Sequence, residues 1–194
     1  MLKNIIFDLG NVLVDCHFSR FFSHYNIAHT DQKFLAMTPI YENFNRGEIT
    51  RSQFLEQLQK ILETKKTFEE IAFDWADIFT LNAEMVGLAE ELSHDYQIYI
   101  FSNTDEIHFS RIIAQFSELK IFQNNFILSY EIGALKPQTE SYQLALEKFA
   151  LAQEESLFID DRIENVNGAK IFGMDAIQHL DVESTKQKLA KLLP

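Results

Sequence analysis

The sequence contains one cysteine, Cys16, in 194 residues. An intrachain disulfide is therefore excluded, and a reducing cytoplasmic setting is expected. Only 3 prolines occur, and no repeat or low-complexity segment marks a long linker. No apolar run reaches the roughly 18–20 residues of a membrane span. The first ten residues lack the charged lead, long apolar stretch and cleavage site of a signal peptide. Positive charge is scarce too, with 17 Lys and Arg against 29 Asp and Glu and a net charge of −12. Phosphate backbones are bound by basic surfaces, so no nucleic-acid partner is expected. A phosphate site in such a chain must supply local positive charge from a metal, a lysine or backbone N–H groups.

What the chain has in quantity is apolar: 46% of its residues are hydrophobic, and 18 are phenylalanine. That suffices for one full domain, or for a core with a small insert. Short apolar runs end in polar residues: Ile5–Phe7 before Asp8, Gln97–Phe101 before Ser102, Asn125–Leu128 before Ser129, and Leu157–Ile159 before Asp160. A shorter run spans Ala176–Leu180. Apolar runs without alternation suit a parallel sheet covered on both faces. Helices are expected between them, over Ala83–His94 after Asn82, Ser141–Ala150, and Glu164–Phe172 up to Gly173, with another over Glu183–Leu193. This alternation predicts an α/β, doubly wound parallel-sheet core. Ligands of such sheets sit beyond the carboxyl ends of the strands, where Asp8, Ser102 and Asp160 should converge.

Residues 17–81 have a different pattern. Phe54, Leu55, Leu58, Ile61 and Leu62 follow helical spacing. Thr50–Gln53 and Thr67–Glu70 read as capping boxes. The expected organisation is a core of residues 1–16 and 82–194, with a small all-helical cap, 17–81, inserted after the first strand.

Four clusters carry chemistry: Asp8-Leu9-Gly10-Asn11-Val12-Leu13, Ser102-Asn103-Thr104, Lys136-Pro137, and Asp160-Asp161 with Asn165. A carboxylate held ionised by a cation can attack phosphorus. Adjacent carboxylates at a strand end call for a compensating cation, and Mg²⁺ prefers such oxygen ligands. In order and placement the clusters resemble the haloacid dehalogenase superfamily across nearly the whole chain. The resemblance implies Asp8 as nucleophile, with Lys136 and Ser102 as its catalytic partners. It implies Mg²⁺ held by Asp8, the Gly10 carbonyl and Asp161, and by Asp160 directly or through water, with Asn165 orienting the acidic loop. Leu9, Gly10, Ser102, Asn103 and Lys136 would bind the phosphoryl group, and Arg46 in the cap the rest of the substrate. The expected partner is a small phosphorylated metabolite, and the chain a monomer or homodimer.

One position departs from the pattern. Most phosphatases of this superfamily carry a second Asp two residues after the nucleophile, as general acid and base, and here that position is Gly10. Three accounts are open. The leaving group is acidic enough to depart unaided, as a sugar 1-phosphate would be. Another group, Asp15, His17 or His108, takes the role. Or the site binds without turnover. The run Phe7–Asp15 is similar to the branch of α-glucose-1-phosphate phosphatases and epoxide hydrolase phosphatase domains, which implies a sugar phosphate such as a hexose 1-phosphate. A haloacid dehalogenase also lacks the second Asp, but the paired Asp160 and Asp161 favour a metal-dependent phosphatase.

Overall fold

The computed structural model describes residues 1–193. The first half of the chain runs β1 (Asn4–Phe7), β2 (Val14–Cys16), α1 (Phe18–His24), α2 (Gln32–Asn45), α3 (Arg51–Leu62), α4 (Phe68–Ala76), β3 (Phe79–Leu81) and α5 (Ala83–Leu92). The second half runs β4 (Gln97–Ser102), α6 (Glu106–Gln115), β5 (Phe126–Leu128), α7 (Ser129–Ile132), α8 (Thr139–Lys148), β6 (Ser156–Asp160), α9 (Ile163–Phe172), β7 (Asp175–Gln178) and α10 (Val182–Leu192).

The main sheet has the order β5-β4-β1-β6-β7, with every pair parallel. The α/β core read from the apolar runs is therefore present. Alternation along β1 sends Ile5 and Phe7 into one core and Ile6 into the other, and all three are fully buried. Phe7 pairs with both Ile100 and Ile159. That register places Asp8 between the carboxyl ends of β4 and β6.

Both capping boxes form. Gln53 N–H donates to Thr50 Oγ1 at 3.3 Å while Thr50 N–H donates to Gln53 Oε1 at 2.9 Å. Thr67 and Glu70 repeat the exchange at 3.3 and 2.7 Å. Each cap contributes about 1 kcal/mol to its helix. The apolar faces of α1 to α4 close around Trp75, with Phe21 against it at 4.9 Å and Phe44 stacked on Phe54 at 4.3 Å. This layer meets the core at Gly47, where φ is +70° and a Cβ would lie 2.3 Å from the Tyr130 carbonyl oxygen. Only glycine permits that approach.

Some elements lie outside the sequence expectation, β3 and α6 among them. β3 falls at the end of the 17–81 stretch and pairs antiparallel with β2, Asp15 opposite Thr80. Three residues are too few for a periodic signal, and the pairing is made by tertiary contact. α6 follows the Ser102 cluster directly, capped by Asp105, whose carboxylate accepts from Ile107 N and His108 N at 2.9 Å each.

Candidate active site

Lys136 organises the carboxyl edge of the sheet. Its ammonium donates to Asp8 Oδ1 at 2.9 Å, Asp160 Oδ2 at 2.7 Å and the Phe101 carbonyl at 2.8 Å. Three donors meet three acceptors, and the group is buried. The lysine is held from behind by Asn103, which donates through Nδ2 to the Lys136 carbonyl at 2.9 Å and accepts the Lys136 N–H at 3.0 Å. The loop bearing Lys136 is thus tied to the end of β4.

The two adjacent aspartates differ. A carboxylate offers about four lone-pair sites, and Asp160 fills them with Lys136, two contacts from Asn165 Nδ2 at 3.0 Å each, and Arg162 N at 2.8 Å. Asp161 is half-buried and receives only Asn11 Nδ2, at 3.2 Å, from a neighbouring side chain. One oxygen from each of Asp8, Asp160 and Asp161 falls within 4.8 Å of the others.

Three carboxylates around one ammonium leave this cluster short of positive charge. Burial pushes Asp8 up to about 7, with Asp160 and Asp161 adding to the rise against the pull of Lys136. Asp161 is raised by burial and then by Asp160. Burial alone would lower Lys136, but Asp160 and Asp8 outweigh it and the ammonium is held above its ordinary value. A hard divalent cation fits this donor set. It would balance the surplus charge, and a water on it could satisfy Asn165 Oδ1, which is buried, lines the cavity and has no partner.

These groups open into a cavity of about 230 Å³. Ser102 lines it, buried at 3% exposure, and its hydroxyl donates to no other residue among those described. Leu9 buries its side chain in the core, so only its backbone can serve the cavity. At Gly10 a Cβ would lie 3.1 Å from Cys16 Sγ. The thiol therefore stands against the space where a longer side chain would begin. Burial, then Asp8, pushes that thiol up to about 12.

None of the three groups named as a replacement acid is free in the cavity. Asp15 is exposed on β2, and His17 Nε2 is engaged with Thr80 Oγ1 at 2.8 Å, and neither lines the cavity. His108 does line it, but Nδ1 faces Asp105 Oδ2 at 2.7 Å and Nε2 faces the Trp75 carbonyl at 2.9 Å. Both ring nitrogens meet acceptors, so the ring is committed to joining α6 to α4.

Arg46, expected to bind the substrate, is not among the residues that line the cavity. It caps the C-terminus of α2 outside the cavity, where Nη1 donates to Gln138 Oε1 at 3.1 Å. The Gly47 turn follows it, and Gln138 lies in the α7–α8 loop. Conversely, Asn11 belongs to the site although sequence reasoning gave it no role. Its φ of +54° lets the loop double back so that Oδ1 accepts Cys16 N while Nδ2 reaches Asp161. The available signal was an Asn directly after Gly10, a residue that tolerates the left-handed region.

Comparison with known proteins agrees with this geometry. The family model described as haloacid dehalogenase-like hydrolase matches residues 2–173. A D-ribitol-5-phosphate phosphatase of Bacteroides thetaiotaomicron is 26% identical over 100% of this chain and 99% of its own length. A sesquiterpene phosphatase of Aspergillus oryzae is 26% identical over 98% and 96%. A solved haloacid dehalogenase family enzyme of Bacteroides thetaiotaomicron, complexed with magnesium and inorganic phosphate, superposes with a TM-score of 0.79 at 21% identity, covering 92% of this chain and 94% of that one. With the Asp8 loop, Lys136 and the Asp160–Asp161 pair all inside the matched span, this chain belongs to the haloacid dehalogenase-like hydrolase family.

Proposed function

We propose that the protein is a Mg²⁺-dependent phosphomonoesterase with Asp8 as nucleophile. The observation that carries this is the buried Asp8–Lys136–Asp160 ion triad with Asp161 beside it, at the carboxyl edge of a parallel sheet. Two relatives that span the chain are named phosphatases, and they support the same reaction class. Asp8, Asp161 and the Gly10 carbonyl would hold the ion, with Asp160 beside them directly or through water. When bound, Mg²⁺ supplies Lewis-acid stabilisation of the phosphoryl oxygens.

The chain's own groups do the rest. Asp8 attacks phosphorus, forming an aspartyl-phosphate as the P–O bond to the alcohol breaks. Lys136 opposes the burial that raises Asp8 and balances charge on the phosphoryl group, while Ser102 and the backbone at Asn103 and Leu9 hold its oxygens. A water molecule then attacks the same phosphorus and returns the Asp8 carboxylate. Residues 17–81 act as a cap on the core formed by 1–16 and 82–194, excluding bulk water during attack.

The alcohol must leave without help from position 10. A sugar 1-phosphate such as a hexose 1-phosphate satisfies this, because its hemiacetal oxygen is more acidic than an ordinary alcohol. The polyol-phosphate phosphatase among the relatives supports a polyhydroxy phosphate, although ribitol 5-phosphate itself carries an ordinary alcohol as leaving group, and the sesquiterpene phosphatase supports an apolar alcohol.

Phosphate release from a panel of sugar phosphates, nucleotides and nitrophenyl phosphate, with Mg²⁺ and with chelator, tests the reaction class. Release is expected to fall by at least about 10²-fold on chelation, since the ion carries several kcal/mol of transition-state stabilisation. Release of halide from haloacids that is indifferent to chelator would overturn the reading.

Gly10→Asp gives a second test. Cys16 obstructs the new side chain, so Cys16→Ala should be needed beside it. The double variant is expected to raise turnover of alkyl phosphates by up to about 10²-fold, the worth of a general acid. Nitrophenyl phosphate, whose leaving group needs no proton, should gain little. Equal gains on both esters would contradict the account of Gly10.

A further inference from the structure

A second cavity, of about 330 Å³, adjoins the catalytic one. Phe18, Phe22, Phe34, Met37, Tyr41 and Trp75 form its walls, from α1, α2 and α4. Thr38 and His29 complete the lining and are exposed. No Lys, Arg, Asp or Glu contributes. Phe18 and Tyr41 line both spaces, which places the two side by side. The rings meet edge to face, Phe22 on Phe34 at 5.3 Å and Tyr41 on Trp75 at 5.3 Å. Sugar hydroxyls placed there would lose water with little to replace it. An apolar ring would gain from burial and from edge-to-face contact. With the catalytic cavity, the space falls in the range of about 300–1,000 Å³ that holds small ligands.

The catalytic cavity adds an independent restriction. Its carboxylates and its histidine are all engaged by neighbouring groups. Asp8 faces Lys136, Asp161 faces Asn11, and both nitrogens of His108 are engaged. The alcohol must therefore be acidic as well as apolar.

On the phosphomonoesterase reading above, we infer that the substrate is an aryl phosphate, the monoester of a phenol-type alcohol whose ring system occupies the α1–α2 cavity. Attack by Asp8 breaks the P–O bond to the aryl oxygen. The electron pair stays on that oxygen, which departs as phenolate and takes its proton from solvent. A sugar 1-phosphate shares the acidic leaving oxygen but not the apolar body.

Phenyl, 2-naphthyl and cyclohexyl phosphate and glucose 1-phosphate separate these requirements. The second ring of the naphthyl ester should raise kcat/KM about tenfold over phenyl, the worth of roughly 60 Å² of buried apolar surface. Cyclohexyl phosphate, similar in size but with an alkanol leaving group, should fall at least about 10²-fold below phenyl, as expected where a general acid is missing. Thr38→Arg, at an exposed position on α2, should bring the naphthyl-to-phenyl ratio close to one. Trp75 is the single tryptophan. Its emission in the turnover-deficient Asp8→Asn protein should be quenched saturably by naphthyl phosphate and not by glucose 1-phosphate. A preference for glucose 1-phosphate, or a naphthyl advantage that survives Thr38→Arg, would overturn the inference. Saturable quenching without release from any ester would remove the phosphomonoesterase reading and leave an aryl phosphate site. Asp8-dependent release with no aryl preference would do the reverse.

Discussion

Asp8→Asn is expected to reduce phosphate release to background, a loss of at least about 10⁴-fold in kcat, as when a covalent nucleophile is removed from a group that acts as a unit. The amide has nearly the same shape, so the site should keep its form. Charge explains why the loss would be chemical and not structural. Asp8 shares a buried space with Asp160 and Asp161, and Lys136 retains Asp160 at 2.7 Å when Asp8 is neutral. Removing one of three crowded carboxylates should leave the melting temperature unchanged or slightly raised. Release from the best ester, alongside thermal unfolding, checks both halves. A variant that unfolds early would show that Asp8 is part of the scaffold. One that retains activity would show that another group attacks.

Lys136→Met should behave in the opposite way and damage the fold as well as the chemistry. Its ammonium is the hub for two carboxylates and a carbonyl, and it lies 5.0 and 4.9 Å from the ring centres of Phe101 and Phe158. Removing one partner of a buried ion pair leaves the other charge uncompensated, at about 3–5 kcal/mol. For a chain of this length that is a fall of about 10 °C in melting temperature. Adding Asp160→Asn should recover part of the stability, because it removes the stranded charge, and should recover none of the activity. Denaturant unfolding of the single and double variants measures both. A single variant within about 1 kcal/mol of wild type, below the range for such losses, would mean that the triad contributes little to folding.

The triad also shows how far the sequence can be read. Asp8, Ser102 and Asp160 end apolar runs, and parallel sheets gather such ends at one edge, so their convergence follows from strand pattern alone. The capping boxes at Thr50 and Thr67 and the glycine stop at Gly173 are local chemistry and are equally legible. Lys136 is different. Its loop gives no pattern of its own, and its role was visible only through the family resemblance. Where Arg46 lies could not be read, because the direction of a loop arginine depends on the Gly47 contact with Tyr130, which joins residues far apart in sequence. His108 looked available because a histidine near neutral pH is poised to titrate. That Asp105 and the Trp75 carbonyl occupy both its nitrogens is a tertiary fact. The same holds for Cys16, which lies against Gly10 only because β2 turns back beside the nucleophile loop. The aromatic walls of the α1–α2 cavity give no sign of a cavity in the sequence, since spacing cannot distinguish a packed face from one that lines a space.

The covalent intermediate is the central claim, and Gly10 makes it accessible to measurement. With no base at that position, water attack on the aspartyl-phosphate should be slow relative to its formation from an ester with a good leaving group. Mass analysis of acid-quenched protein during steady-state turnover of nitrophenyl phosphate should therefore find a phosphoryl group on Asp8. That group should be absent without Mg²⁺ and should disappear when substrate is exhausted. Continued phosphate release with Asp8 unmodified throughout, or with the phosphoryl group on another residue, would contradict the account.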